Sequence, residues 1–200
     1  MENSRIKNIE HEILSDNWYT LNKYTFEYQK FDGSWEVQKR ESYDCGDGAA
    51  VLLYNTNKGT VVLTRQFRMP TYVNGNTNGM MVEVCAGLLD GLTPEECILK
   101  EILEETGYQL TEVTQVLVTY MCPGSVTQKL YLFVGAYEDA MKIEEGGGAE
   151  HETENIEVLE IPFEKALHMM ATGEIRDAKT VMLLQYAQLN KLLGVYEVRD

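Results

Sequence analysis

Three carboxylates, Glu101, Glu104 and Glu105 in the stretch KEILEETGY, are the residues of this chain whose type and spacing best suit chemistry. Glu101 and Glu105 stand four apart with Glu104 beside them, so three negative charges crowd one helical turn, where like charges repel by roughly 0.2–0.5 kcal/mol per pair. Such a cluster can be a solvated helix face. It is also the oxygen ligand set that hard divalent cations prefer, and a bound cation removes the repulsion. The stretch GLLDG just before it favours the cation site, because a Gly-rich loop there turns the chain sharply from a strand over residues 80–86 into the helix.

The elements that must position these acids are legible nearby. Thr93 suits an N-cap, Pro94 the first helical position, and Glu96, three residues after Thr93, completes a capping-box pattern. The spacing predicts one α-helix from Pro94, with Ile98 and Ile102, and likewise Leu99 and Leu103, four apart on an apolar stripe and Gly107 ending it in a left-handed conformation.

Upstream, Trp18, Tyr24, Phe26 and Tyr28 share one parity, Asp32-Gly33 marks a turn, and Trp35, Val37, Lys39, Glu41 and Tyr43 alternate on the return. This reads as a β-hairpin rich in aromatics. A lone hairpin is marginal in water, so it packs either on the rest of the chain or on a second copy. AAVLLYN and TVVLTRQFR read as a second hairpin, and TYVNGNTNG as a polar loop. Arg65 and Arg68 near that strand end fit either solubilising charge or phosphate contact. After the predicted helix, residues 112–120 and 129–137 read as strands around the loop MCPGSVTQ. Residues 138–155, with three consecutive glycines and many Glu, read as an acidic surface loop that can deliver one carboxylate ligand. A strand over 156–161 follows. Then come a helix near Pro162 with Leu167 and Met170 inward, and a last helix over 180–193 whose apolar face is Met182, Leu183, Tyr186, Leu189 and Leu193. Strands around one helix, with helices at the end, make an α+β arrangement.

The formal net charge of −15, with 32 acidic against 17 basic residues, disfavours polyanions, so neither nucleic acid nor an anionic membrane is an expected partner. A phosphorylated substrate then needs metal ions and local Arg or Lys. Cys45, Cys85, Cys97 and Cys122 form no C-x-x-C pair and, with three His, no zinc-ligand spacing. They read as free thiols in a reducing compartment. With no signal-like start and no long apolar run, a cytoplasmic location is expected.

The strand, loop and helix around the acids resemble the Nudix box, the signature of hydrolases that cleave a nucleoside diphosphate linked to another group. KEILEETGY matches its second half, with Lys100 for Arg. Its first half departs, with Thr93 where the pattern has Glu and one residue fewer before Lys100. The resemblance covers nearly the whole chain. Pro123, fifteen residues after Tyr108, and RQFR resemble the ADP-ribose pyrophosphatase branch. ILSDNWYTL, KRESYD, VLLYN, CAGLLD, PGSVT, IEVLE and GEIRDAKT resemble the bacterial members that split GDP-mannose.

The resemblance implies a Nudix α/β/α sandwich over residues 46–200 and an N-terminal β-hairpin subdomain over residues 1–45, exchanged in a homodimer. It implies Mg²⁺, or Mn²⁺, held by the Ala86 carbonyl, Glu101 and Glu105, with Glu154 completing the set and Glu104 as a further ligand or helper. Arg68 and Lys179 would contact the diphosphate or sugar of a nucleotide-sugar substrate. Trp18, Lys39, Arg40 and Glu41 would reach the nucleotide from the partner subunit. Gln128 stands where the GDP-mannose group has a Glu near the substrate, and an amide can orient a water but cannot act as a base. The implied reaction is hydrolysis of GDP-mannose to GMP and mannose 1-phosphate, with Glu101 or Glu154 taking the proton. Alternatives are ADP-ribose hydrolysis and, in another class, a non-catalytic nucleotide-sugar sensor.

Overall fold

The computed structural model describes residues 4–148 and 154–194. The chain separates into two compact units, Met1–Asp47 with Tyr120–Lys129, and Gly48–Thr119 with Leu130–Asp200.

In the first unit, β1 (Ile6–Asp16), β2 (Thr20–Gln29) and β3 (Trp35–Asp44) form an antiparallel sheet in the order β1-β2-β3. The predicted hairpin is β2 and β3, joined through Asp32 and Gly33, the latter at φ +86. The element added to it is β1. Its sequence IKNIEHEILSD mixes charged, polar and apolar residues, nearly all of it is exposed, and its register slips twice, with Asn8 at φ 52. A bulged, solvated edge strand carries little alternation to read. In the same unit, Tyr43 and residues 125–127 exchange backbone hydrogen bonds, Tyr43 N to Ser125 O at 2.8 Å and Thr127 N to Tyr43 O at 3.1 Å.

In the second unit, β4 (Gly48–Asn55), β5 (Thr60–Phe67), β8 (Thr114–Tyr120), β9 (Lys129–Ala136) and β10 (Glu157–Pro162) give the order β10-β5-β4-β9-β8. Two short strands pair off this path, β6 (Met80–Glu83) with β5 and β7 (Cys85–Leu88) with β4. β4 and β9 are parallel, from Gly48↔Leu130 to Tyr54↔Ala136. A central strand covered on both faces should be apolar throughout. Ala49, Ala50, Val51, Leu52 and Leu53 of β4 are indeed fully buried.

Alternate β4 residues Ala49, Val51 and Leu53 share a core with Cys97, Ile98 and Ile102 of the predicted helix. The helices α3 (Phe163–Ala171) and α4 (Ala178–Leu189) also pack on the sheet, α3 on β5 and β10 and α4 on β4. This is the α+β Nudix-type layering that the sequence predicts. No described helix is long and apolar enough to cross a membrane.

Four local expectations need adjustment. TYVNGNTNG is not wholly loop, since a short helix α1 (Met69–Val73) begins it. The strand predicted over 80–86 breaks at Val84, because the Val84 N–H leaves the ladder and donates to Thr180 Oγ1 at 2.8 Å. On α3 the inward side chains are Phe163, Ala166 and Met169, one position off the predicted Leu167 and Met170, which are only partly buried. On α4, Leu189 is 81% exposed, while Leu184 and Ala187 are buried.

The helix start matches its signature. Thr93 caps α2 (Pro94–Glu101), its hydroxyl accepting from the Glu96 N–H at 3.3 Å and Glu96 Oε2 accepting from the Thr93 N–H at 3.0 Å. Thr93→Ala should therefore cost about 1 kcal/mol. Thermal unfolding should show this as a loss of about 3 °C in Tm. An unchanged Tm would mean that the core alone holds this helix start.

Candidate functional site

α2 does not run on as a plain α-helix. After Glu101 it widens into a π turn (Ile102–Thr106), and Gly107 at φ +76 then stops it. Wide turns of this kind recur at functional sites. Here the turn carries two of the three acids. Glu101 is 8% exposed and Glu105 1%. Glu104 lies further out, where Lys100 Nζ donates to its Oε2 at 2.6 Å.

Three features converge on Glu105. The Ala86 N–H donates to Glu105 Oε2 at 3.2 Å. The Glu101 carboxyl occupies the space that a Cβ on residue 87 would fill, so a larger residue than Gly87 would push the acid from this place. Glu154, on the far side of the acidic loop, is close enough to act on Glu105 electrostatically. Burial is the largest cause pushing the Glu105 carboxyl up to about 8, and the charges of Glu154 and Glu101 add to it. Hydrogen bonds from the Cys85 thiol and the Ala86 N–H oppose it. Cys85 is itself raised well above the ordinary thiol range, first by burial and then by Glu105, so it is a poor nucleophile.

A buried carboxylate that two further acids make costly to ionise gains from a hard cation at its oxygens. Glu101 and Glu105, with Glu154 near enough to act on Glu105, supply the type of oxygen donor that a divalent metal prefers. Among the described residues no three acidic, His or Cys side chains are grouped so that they could hold a metal ion together, so water and substrate oxygens would have to complete any site here. Mg²⁺ sites are of that open kind, with water and phosphate oxygens filling the remaining positions.

Arg68 and Lys179 meet at one carboxylate that sequence reasoning missed. Arg68 donates through Nε to Glu83 Oε1 at 2.8 Å and through Nη2 to Oε2 at 3.1 Å, and Lys179 Nζ donates to Oε2 at 2.6 Å. Glu83 is 3% exposed. Burial pushes its carboxyl up, but the Lys179 charge and the bonds and charge of Arg68 outweigh that and hold it at about 2. Asp177 caps α4, accepting from the Thr180 N–H at 3.0 Å and hydroxyl at 2.6 Å, and also pairs with Lys179 at 3.1 Å. The signal was present in MMVEVCA, as a single acid inside an apolar strand. Arg68 remains 41% exposed on its side chain and feels the charge of Glu105, so the cation pair and the acids belong to one neighbourhood of the second unit. Arg65 is instead tied to Glu157, its Nε donating to Oε2 at 2.7 Å.

The remaining predicted residues lie in the first unit. Arg40 and Glu41 line a pocket of about 580 Å³ with Tyr120 and Pro123 to Thr127. Arg40 donates to Lys39 O at 2.8 Å and to Gln38 Oε1 at 3.0 Å. Lys39 is exposed, and Gln128, partly buried, directly follows the lining segment. Trp18 is 83% exposed in the β1–β2 turn, edge-on to Tyr19. Residues 149–153 of the acidic loop lie outside the described residues.

Two family models match the chain in tandem. Residues 5–43 match the "GDP-mannose pyrophosphatase NudK N-terminal domain" and residues 46–184 the "NUDIX domain". Relatives named GDP-mannose pyrophosphatase are similar over nearly the full length. The Pectobacterium atrosepticum protein is 53% identical, covering 92% of this chain and 94% of its own. The Yersinia pestis protein is 53% identical, covering 93% of each. The Yersinia enterocolitica protein is 52% identical, covering 94% of this chain and 98% of its own. A family model that matches most of the chain, together with relatives 53% identical over more than nine tenths of it, leads to one assignment: the chain belongs to the Nudix hydrolase family.

Proposed function

We propose that this protein hydrolyses the diphosphate bond of a nucleoside diphosphate sugar, with GDP-mannose as the substrate and GMP and mannose 1-phosphate as products, in a Mg²⁺- or Mn²⁺-dependent reaction. Nudix hydrolases work with divalent metal ions. The observation that carries the reaction class is the Nudix match over residues 46–184, with Glu101 and Glu105 buried together on the acid-bearing helix. The choice of GDP-mannose is supported by the relatives of that name at 53% identity.

In this reading Glu101, Glu105, Glu154 and the Ala86 carbonyl hold the metal, with Glu104 as an outer helper. When bound, the metal neutralises the diphosphate and makes a coordinated water more acidic. The protein's own groups do the rest. Arg68 and Lys179 bind diphosphate oxygens, and the bidentate grip of Glu83 fixes the guanidinium plane before substrate arrives. Glu101 or Glu154 accepts the proton of the attacking water as a P–O bond forms and the anhydride P–O bond breaks. Gln128 orients substrate or water through its amide. A homodimer is part of the proposal, with Trp18, Lys39, Arg40 and Glu41 of one copy contacting the nucleotide of the other. A reducing, cytoplasmic setting fits the four free cysteines.

The test is turnover of a panel of GDP-mannose, other nucleotide sugars and ADP-ribose, with Mg²⁺ and with chelator. Metal-dependent release of GMP and mannose 1-phosphate is the expected result. Preference for ADP-ribose would keep the reaction and replace the substrate. Binding of the panel without any turnover would replace the enzyme by a sensor.

A further inference from the structure

Three consecutive glycines, Gly146, Gly147 and Gly148, precede the segment that leads to Glu154, and their φ angles are +75, +115 and +91. L side chains rarely enter this region. The run is not a slack linker, because each of its residues is engaged.

The Gly147 N–H donates to Glu105 O at 2.9 Å and the Gly148 N–H to Glu104 O at 3.0 Å. Those carbonyls lie in the last turn of the acid-bearing helix, where helix geometry leaves C=O groups without partners of their own. Just below, Gly107 O accepts from the N–H groups of Ile143 and Glu144 at 3.0 and 3.2 Å.

The two backbones touch too closely for side chains. A Cβ on Gly146 would stand 2.6 Å from Glu105 O and 2.6 Å from the Thr106 carbonyl carbon, and one on Gly107 would overlap Glu144 O. On the returning side, the Ile156 N–H donates to Gly147 O at 3.1 Å. A Cβ on Gly148 would lie 2.6 Å from both Cβ and Oε2 of Glu154. Of the other left-handed glycines, Gly33, Gly46, Gly75, Gly91 and Gly173 have nothing within 4 Å of a Cβ, while Gly79 packs on the Phe67 ring. The glycines in open space serve backbone conformation alone, whereas Gly146 and Gly148 serve conformation and close contact together, and Gly147 is tied by its hydrogen bonds.

We infer that Gly146–Gly147–Gly148 is a positioning latch that seats the root of the acidic loop on the carbonyls of Glu104 and Glu105 and thereby sets where the Glu154 carboxylate stands beside Glu105. The inference rests on the proposed reading of Glu101, Glu105 and Glu154 as a divalent-metal set. None of the three glycines touches metal or substrate. They act through Glu154.

The test compares the wild type with Gly148→Ala and with Gly173→Ala, which imposes the same left-handed strain at φ +78 in open space. Mn²⁺ binding is read by electron paramagnetic resonance without substrate. The metal concentration for half-maximal turnover and the Tm are read alongside. Both variants should lose Tm. Gly148→Ala alone should weaken Mn²⁺ binding and raise the metal requirement, each by about tenfold or more, the range of supporting residues around metal ligands. At saturating metal its kcat should recover most of the wild-type value.

Unchanged Mn²⁺ binding in Gly148→Ala, or equal weakening in both variants, overturns the latch alone. A wild type that binds no Mn²⁺ overturns the metal reading and the latch with it. Should Gly148→Ala fail to fold, amide exchange in the wild type decides. Gly147 and Gly148 amides as protected as those of the helix support the latch, and exchange at the rate of an unstructured peptide overturns it.

Discussion

Glu105→Gln should give a protein that is more stable without metal and almost inactive with it. In the metal-free fold the Glu105 carboxyl sits at about 8 against an ordinary 4.5, with burial as the chief cause. The folded state therefore holds a proton that the unfolded chain has released between pH 4.5 and 8, and stability falls as pH rises through that window. At 1.36 kcal/mol per unit the loss by pH 8 is on the order of 4 kcal/mol. An amide is neutral throughout and can still accept from the Ala86 N–H, so the variant escapes this loss.

At pH 8 the metal-free variant should melt about 10 °C above the wild type, with the gap closing toward pH 5. Mg²⁺ should raise the wild-type Tm and leave the variant's unmoved, because a ligand stabilises only the state that binds it. Turnover should drop by about 10³-fold, equivalent to about 4 kcal/mol of transition-state stabilisation. Melting curves at the two pH values and one rate measurement check all of this. A variant within tenfold of wild-type activity would remove Glu105 from the metal set.

Glu83→Gln should produce the opposite stability result. Removing one member of a buried ion cluster leaves the others without compensation and costs about 3–5 kcal/mol. Arg68 is partly exposed and Lys179 keeps Asp177, so the lower end, about 3 kcal/mol, applies. That is a Tm loss of about 10 °C near neutral pH. The carboxyl is held at about 2, below its ordinary 4.5. Its contribution is therefore complete above pH 4.5 and fades as pH falls toward 2, so the difference between wild type and variant should shrink on acidification. Kinetically, two freed cations should raise KM about tenfold and alter kcat less, the pattern of lost uniform binding. A fall in kcat at unchanged KM would give Glu83 a role in the chemical step instead.

Local features written in adjacent residues were readable from sequence. Thr93, Pro94 and Glu96 announced the helix start, Gly107 its end, and Asp32-Gly33 the hairpin, because each is a short-range stereochemical constraint. The acids Glu101 and Glu105 were readable because helical spacing brings them together without help from the rest of the fold. The hidden features depend on partners distant in sequence. Glu83 acquires its role from Arg68 fifteen residues before it and from Lys179 ninety-six after it. The break at Val84 depends on the Thr180 hydroxyl, also ninety-six residues away. The three glycines read as a soft acidic loop because their contacts are with the backbone of a helix some forty residues earlier. On α4, Leu189 fitted a helical period, but the face that packs inward runs through Thr180, Leu183, Leu184 and Ala187, and Leu189 lies off it in solvent.

The parallel pairing of β4 with β9 also has a consequence for how the molecule is made. Gly48 and Leu130 are neighbours across the centre of the sheet. Closing that pair requires the intervening chain, including the acid-bearing helix, to have been synthesised. During translation the apolar strand AAVLLYN must therefore wait without its parallel partner until β9 has left the ribosome. The edge pairing Glu157↔Arg65 waits longer still. Such non-local closure slows folding and prolongs exposure of a sticky strand. The antiparallel hairpin with β5, available after Phe67, gives that strand an early local partner and shields one edge while the rest of the sheet arrives.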